Sequence, residues 1–71
     1  MIFYVSTPGV EDAESIVALV SRRLAWNLVI GKSDGRTAFF EVLPGGVMDL
    51  RDFLGEAGLK WTEREREVRH G

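Results

Sequence analysis

The stretch WNLVIGKSDGRTAFFEVL, residues 26–43, decides the fold, because it contains two apolar runs joined by a short polar segment. The runs extend from Trp26 to Ile30 and from Arg36 to Leu43, and both are rich in the β-branched and aromatic residues of strands. Between them, the loop from Lys32 to Gly35 ends in a glycine that can adopt the positive φ of tight hairpins. The stretch therefore predicts an antiparallel β-hairpin in the middle of the chain.

A strand and a helix are predicted before this hairpin. Ile2 to Val5 is a strand-like run that ends at the turn Thr7-Pro8-Gly9. From Glu11 to Leu24, apolar residues recur at the three- and four-residue spacing of one helix face. Acidic residues in the first turn and the pair Arg22-Arg23 in the last turn complement the helix dipole. The apolar stripe consists of Ala13, Ile16, Val17, Val20 and Leu24.

A second helix and a fourth strand are predicted after the hairpin. Asp49 is the expected N-cap, and Gly58 followed by Leu59 has the pattern of a helix C-terminal glycine with its hydrophobic contact. Lys60 to Thr62 opens the fourth strand, which continues into the alternating Glu and Arg residues of 63–68. The stripe of the second helix consists of Leu50, Phe53, Leu54 and Ala57.

The resulting order, β-α-β-β-α-β, predicts an α+β ferredoxin-like sandwich. Its four-stranded antiparallel sheet has the order 4-1-3-2, and both helices lie on one face. A chain of 71 residues is too short for a second core, so residues 1–71 form a single domain. Residues 63–71 are expected to be a charged edge strand, which discourages further strand pairing, and a frayed tail.

Because the helices cover only one face of the sheet, the opposite face is expected to be open. Side-chain alternation points Ala38, Phe40 and Val42 toward the helices and leaves Phe39 on the open face. The open face would then carry a patch formed by Tyr4, Val29 and Phe39, rimmed by Thr37, Glu41 and Asn27. The residues expected on the inner face of the first two strands are Phe3, Val5, Trp26, Leu28 and Ile30.

Three interpretations of this open patch remain. An exposed apolar patch is typical of a contact surface, and a small domain often needs a partner, so homodimerisation through the sheet face or an edge strand is favoured. RNA-recognition motifs stack bases on aromatic residues in these strands, but the net charge of −2 argues against a nucleic-acid partner. Alternatively, Tyr4 and Phe39 pack only on each other.

The segment Thr7-Pro8-Gly9-Val10, followed by a helix and then by Asn27-Leu28-Val29, resembles the ACT regulatory domain. In that family a Pro-Gly turn precedes the first helix, and an Asn-Ile-like pair begins the second strand. The similarity extends, at the level of topology, over most of the chain. It implies a homodimer that binds a small anionic metabolite, typically an amino acid, near the turn before the first helix.

The predicted topology brings the Thr7 to Gly9 turn, the central hairpin and the Gly58 turn to one end of the sheet. Amides of the first helix there, with Lys32 and Arg36 nearby, could hold a carboxylate or phosphate. The competing interpretation is that both cations are solvated hairpin charges and that acidic residues already occupy the helix end. With the residues of the resemblance included, the candidate ligand-binding set is Thr7, Gly9, Val10, Asn27, Lys32 and Arg36.

Catalytic chemistry finds little support in the sequence. The absence of cysteine excludes disulfides, thiolate zinc sites and thiol nucleophiles, and the single histidine, His70, adjoins the C-terminus. No serine has a histidine within expected reach. The carboxylates Asp49 and Asp52 make only a weak cation site, and Gly45-Gly46 lacks the lysine of a phosphate-binding loop. We therefore expect a non-enzyme with no catalytic residue, metal or cofactor.

Location and origin are constrained only by composition. The longest apolar stretch, Leu24 to Ile30, is interrupted by Asn27, so no membrane partner is expected. No export signal is recognisable, which makes a cytoplasmic protein the expectation. Glutamine is absent and arginine outnumbers lysine seven to two, which suits a thermophile or reflects the codon bias of a GC-rich genome.

Overall fold

The computed structural model describes residues 1–65 and has the predicted α+β ferredoxin-like fold. Its four-stranded antiparallel sheet has the order β2-β3-β1-β4, which is the predicted order read from the other edge. The expected tail beyond residue 65, with His70, lies outside the described residues. The elements are β1 (Ile2–Ser6), α1 (Val10–Leu24), β2 (Leu28–Asp34), β3 (Thr37–Val42), α2 (Val47–Glu56) and β4 (Lys60–Arg64).

The core lies between the two helices and one face of the sheet. Phe3 and Val5 of β1 and the predicted residues Ala38, Phe40 and Val42 of β3 form the buried sheet face. The helix residues packed on it confirm most of both stripes: Ala13, Ile16, Val20 and Leu24 of α1, and Leu50 and Leu54 of α2. Val17 and Phe53 are partly buried against this core, whereas the predicted end of the second stripe is wrong, since Ala57 is exposed at the C-cap.

The start of β2 differs from the prediction. Ala25–Asn27 forms a 3₁₀ turn, so Trp26 precedes the strand and is 93% exposed instead of buried. A β-bulge between Leu28 and Ile30 then shifts the alternation, and Ile30, expected inside, pairs with Glu41 on the open face. Leu28 alone of the three predicted inner residues packs against the core.

The hairpin is tighter than predicted. Asp34 pairs with Thr37, so only Gly35 and Arg36 form the turn. Gly35 has φ +59°, and positive φ at the first of two turn residues is the requirement of a type II′ turn. The expected loop from Lys32 to Gly35 and the expected strand limits, Arg36 and Leu43, are therefore corrected to this shorter connection and to Thr37–Val42.

The second helix begins earlier than predicted, but it ends at the predicted glycine. A 3₁₀ turn at Pro44–Gly46 leads directly into α2, so Gly46, not Asp49, precedes the first helical residue. At the other end, Gly58 has φ +70°, and its amide donates to the Gly55 carbonyl at 3.1 Å. The Leu59 amide donates to the Leu54 carbonyl at 3.1 Å, which completes a Schellman motif.

Candidate interaction surface

An aromatic row crosses the middle of the open sheet face. Strand register places Lys32 beside Phe39, Phe39 beside Tyr4, and Tyr4 beside Thr62. The Tyr4 and Phe39 rings meet edge-on, with centroids 5.3 Å apart and planes at 70°. The Lys32 ammonium lies 5.1 Å from the centre of the Phe39 ring, a cation–π contact. Tyr4 is nevertheless 36% exposed, so this row presents apolar surface to solvent.

Two further rows flank the aromatic row on the same face. Ile30 pairs with Glu41, Glu41 with Ile2, and Ile2 with Arg64, which extends the apolar surface toward one end. On the other side, the row consists of Asp34, Thr37, Ser6 and Lys60. Charges of opposite sign, Asp34 and Lys60, therefore stand at the two outer edges of one row.

The sequence predicted part of this surface. Tyr4 and Phe39 are in contact as the proposed patch requires. Val29 is exposed, but it lies at the bulge and belongs to none of the three rows. Asn27, expected on the rim, lies in the 3₁₀ turn before β2. Ile30 was predicted to lie inside, because the bulge that puts it on this face leaves no mark in the hydrophobic pattern. Ile2 shares the outward side of β1 with Tyr4 by regular alternation.

Four of the six candidate ligand-binding residues meet at one end of the sheet. The Thr7 amide donates to the Arg36 carbonyl at 2.9 Å, which joins the turn before α1 to the hairpin. The Thr7 hydroxyl lies 2.7 Å from that carbonyl and 2.8 Å from the Gly9 carbonyl, so it is placed to donate to either. Val10 follows as the first residue of α1.

The backbone conformation of Gly9 does not require a glycine. Its φ of −157° and ψ of 169° are extended values, which other residues adopt. A Cβ at this position would lie 3.3 Å from Oδ2 of Asp12, the end of a flexible side chain. The carboxylates of Glu11 and Asp12 occupy the first turn of α1, where a bound anion would have to compete with them.

Lys32 and Asn27 do not join this end. Lys32 covers Phe39 in the middle of the open face. Asn27 lies at the opposite end of the sheet, about 20 Å away along a strand of this length. There its carbonyl accepts from the Leu43 amide at 2.8 Å, and a Cβ at Gly46 would approach Asn27 Cβ to 2.8 Å. The Gly45-Gly46 segment thus packs on Asn27.

Glu63 is part of an ion pair and not the solvated edge residue that the alternating charges predicted. It lies beside Phe3 on the inner side of β4. Arg51 of α2 donates to it through Nη2 at 2.6 Å and Nε at 2.9 Å, and Trp61 Nε1 donates at 2.9 Å. The hydrogen bonds from Arg51 and then from Trp61 hold the pKa of Glu63 below its ordinary value. This pair ties the edge strand to α2.

Three further apolar side chains are exposed although the sequence did not predict it, namely Trp26, Leu43 and Met48. Trp26 adjoins Asn27 in the 3₁₀ turn, and the Leu43 amide donates to the Asn27 carbonyl, so both lie at the end of the sheet that holds Asn27. The apolar run around Trp26 predicts the start of a strand, and a strand there would have buried this side chain.

The described residues contain neither a cluster of metal-ligand side chains nor a membrane-spanning helix. Residues 1–65 contain no group of three or more His, Cys, Asp or Glu side chains placed to hold a metal ion. Of the predicted carboxylate pair, Asp49 accepts a hydrogen bond from Arg23 Nε at 3.0 Å. No helix within the same residues is long and apolar enough to cross a membrane.

A scan against protein-family models found no match, and neither curated proteins nor solved structures gave one.

Proposed function

We propose that the protein is a non-catalytic association module and that two copies join through the open faces of their sheets. The observation that carries this proposal is the uncovered aromatic row of Tyr4 and Phe39, extended by Ile2 and Ile30. Apolar side chains on a sheet face that no helix covers favour association, because a second face that removes them from water lowers the free energy.

Charge complementarity favours a second copy as the occupant. In such a dimer, a twofold axis runs parallel to the strands, between β3 and β1. Each row of one copy then lies opposite the same row of the second copy, which runs in the reverse direction. Asp34 then faces Lys60 of the second copy, and Phe39 faces Tyr4 of the second copy. An axis across the strands would instead oppose Lys32 with itself, which is a repulsive arrangement.

The small size of the face argues for a weak dimer. Four strands about 4.8 Å apart, each with about five residues at 3.3 Å, give roughly 300 Å² of projected area per copy. Stable complexes bury about 800 Å² per partner. We therefore expect a reversible dimer with a dissociation constant in the micromolar to millimolar range.

The test is the mass in solution of a variant with a charge on the open face. Phe39→Glu is expected to stay monomeric in sedimentation equilibrium at concentrations where the parent protein dimerises. Ala18→Glu, which adds the same charge at an exposed position of α1, should dimerise like the parent. An unchanged dimer in Phe39→Glu would refute the proposal, and Tyr4→Glu repeats the test if Phe39→Glu fails to fold.

The resemblance to ACT domains supports a second candidate function, the binding of a small anionic metabolite. The observation in its favour is the meeting of Thr7, Gly9, Val10 and Arg36 at one end of the sheet. Amino acids and nucleotides should then raise the melting temperature, since a ligand at a hundredfold excess over Kd stabilises by about 2.7 kcal/mol. Arg36→Glu should abolish that response, and a parent protein that responds to none of these ligands would remove this candidate.

A further inference from the structure

Trp26 is presented to solvent by a turn that the structure holds in place. Its side chain is 93% exposed, although a tryptophan gains much by burial. The preceding residue, Ala25, has φ +37° and ψ −94°, a strained conformation for a residue with a Cβ. The Asn27 carbonyl, bonded to the Leu43 amide at 2.8 Å, fastens the other side of the turn. The strained backbone of Ala25 therefore directly precedes the residue whose indole faces solvent, Trp26.

An apolar groove lies between α1 and α2, toward the opposite end of the helix layer from Trp26. Its volume is about 320 Å³, the lower limit of sites that take a small organic group. Its apolar walls come from Pro8, Ile16, Leu19, Phe53 and Leu59, and its polar groups are Asp12 and Ser15. An indole needs apolar walls and an acceptor for its N–H. This groove has apolar walls, and Asp12 and Ser15 carry acceptor oxygens.

Trp26 does not fill the groove of its own chain, because its side chain is 93% exposed. The residues of α1 that line the groove end at Leu19, whereas Trp26 lies beyond the end of that helix. At 1.5 Å per residue, Leu19 and Trp26 are about 10 Å apart along the helix axis. An occupant of this kind must therefore come from another molecule.

We propose that Trp26 of one copy inserts into the α1–α2 groove of the next copy, in a head-to-tail contact. The charges along α1 favour this direction, because the helix begins with Glu11 and Asp12 and ends with Arg22 and Arg23. Stacking the end of one molecule on the start of the next brings these opposite charges together. Arg23 already pairs with Asp49, so Arg22 is the cation that faces Asp12 of the next copy.

This contact uses two different surfaces of the molecule and is therefore heterologous. Such a contact does not close on itself in a dimer and extends into rings or open chains. It is independent of the sheet face, since neither Trp26 nor the groove belongs to the aromatic row. A Phe39→Glu background isolates it, because that substitution removes the face-to-face dimer proposed above.

The experiment uses two variants in that background, each with one surface destroyed. Trp26→Ala removes the inserting side chain. Ser15→Arg blocks the groove and repels Arg22 of the copy whose Trp26 would insert there. In sedimentation equilibrium each variant alone should be monomeric, with association weakened at least tenfold. Their equimolar mixture should form a one-to-one dimer and nothing larger, because one intact end remains on each. Ala18→Arg, an exposed substitution on the same helix, should associate like the background protein.

Three results would overturn the proposal. They are a background protein that stays monomeric at millimolar concentration, a Trp26→Ala variant that still associates, or a mixture that remains monomeric. Circular dichroism of each variant verifies folding, and Leu19→Arg replaces Ser15→Arg if that variant is unfolded. The outcome is separable from the sheet-face dimer, which the same measurements detect only when Phe39 is intact.

Discussion

At the scale of single residues, Glu63 of the charged edge strand β4 forms a specific ion pair. Its neighbours in the sequence alternate in sign, which predicts solvation on an edge strand. Strand alternation instead turns Glu63 toward α2, where Arg51 and Trp61 donate hydrogen bonds to its carboxylate. Arg51 is 12 residues away in the chain, and only the packing of α2 on the sheet brings it there, so no local pattern could have predicted the pair.

This ion pair predicts a specific dependence of stability on pH. The folded pKa of Glu63 lies below its ordinary value of 4.5, so the charged carboxylate stabilises the fold above that pH. The contribution is lost as pH falls below 4.5 through the depressed folded value. Glu63→Gln should therefore be less stable than the parent in urea at pH 7 and equal to it in strong acid. Glu56→Gln, exposed on α2, is the control, and an equal difference at both pH values would contradict this account.

At the scale of elements, periodicity predicted the helices and missed the irregular parts of the chain. Apolar residues at helical spacing located α1, and glycine followed by a hydrophobic residue, Gly58-Leu59, located the end of α2. The 3₁₀ turn at Ala25–Asn27 and the bulge after Leu28 were missed, because both depend on tertiary contacts. The Asn27 turn packs on Pro44–Gly46, a segment that is distant in sequence.

Two glycines of the α2 region give a matched pair of substitutions with opposite effects. Gly58 has φ +70°, so Gly58→Ala should lower the free energy of unfolding by about 1 kcal/mol. Gly55 lies inside the helix, and a methyl group added there would have no neighbouring atom within 4 Å, so Gly55→Ala should raise it by up to about 1 kcal/mol. Urea denaturation measures both. A loss of stability in both variants would mean that Gly55 is not in a regular helix.

The packing of α1 on the sheet predicts a contrast between two of its residues. Ile16 is buried in the core, whereas Leu19 is exposed. Ile16→Ala should lower the free energy of unfolding by roughly 2–4 kcal/mol, because it removes buried methyl groups and leaves a cavity. Leu19→Ala should cost less than about 1 kcal/mol. Similar costs in thermal or urea unfolding would show that the helix is rotated from the observed orientation.

At the scale of the whole molecule, side-chain alternation predicted which face of the sheet is open but not everything on it. Tyr4 and Phe39 follow from regular alternation in the two central strands, β1 and β3. Lys32 is absent from the end where a ligand was expected, because the turn has two residues where a four-residue loop was predicted. Because β2 is longer than predicted, Lys32 lies within the strand, in the middle of the open face. Asn27 entered the candidate set through the resemblance alone, and the fold places it at the far end.

The most direct test of the sheet-face dimer is a charge exchange between Asp34 and Lys60, in a Trp26→Ala background that removes the head-to-tail contact. In the proposed dimer each Asp34 faces Lys60 of the second copy. Asp34→Lys and Lys60→Asp therefore each create two repulsive pairs, and both should weaken association at least tenfold.

Sedimentation equilibrium of the two variants, alone and mixed, gives the decisive result. Each alone should be monomeric at concentrations where the background protein dimerises, and the equimolar mixture should recover a heterodimer, because both charge pairs are then restored. A mixture that stays monomeric beside a dimeric background protein, or single variants that dimerise unchanged, would contradict the proposed arrangement.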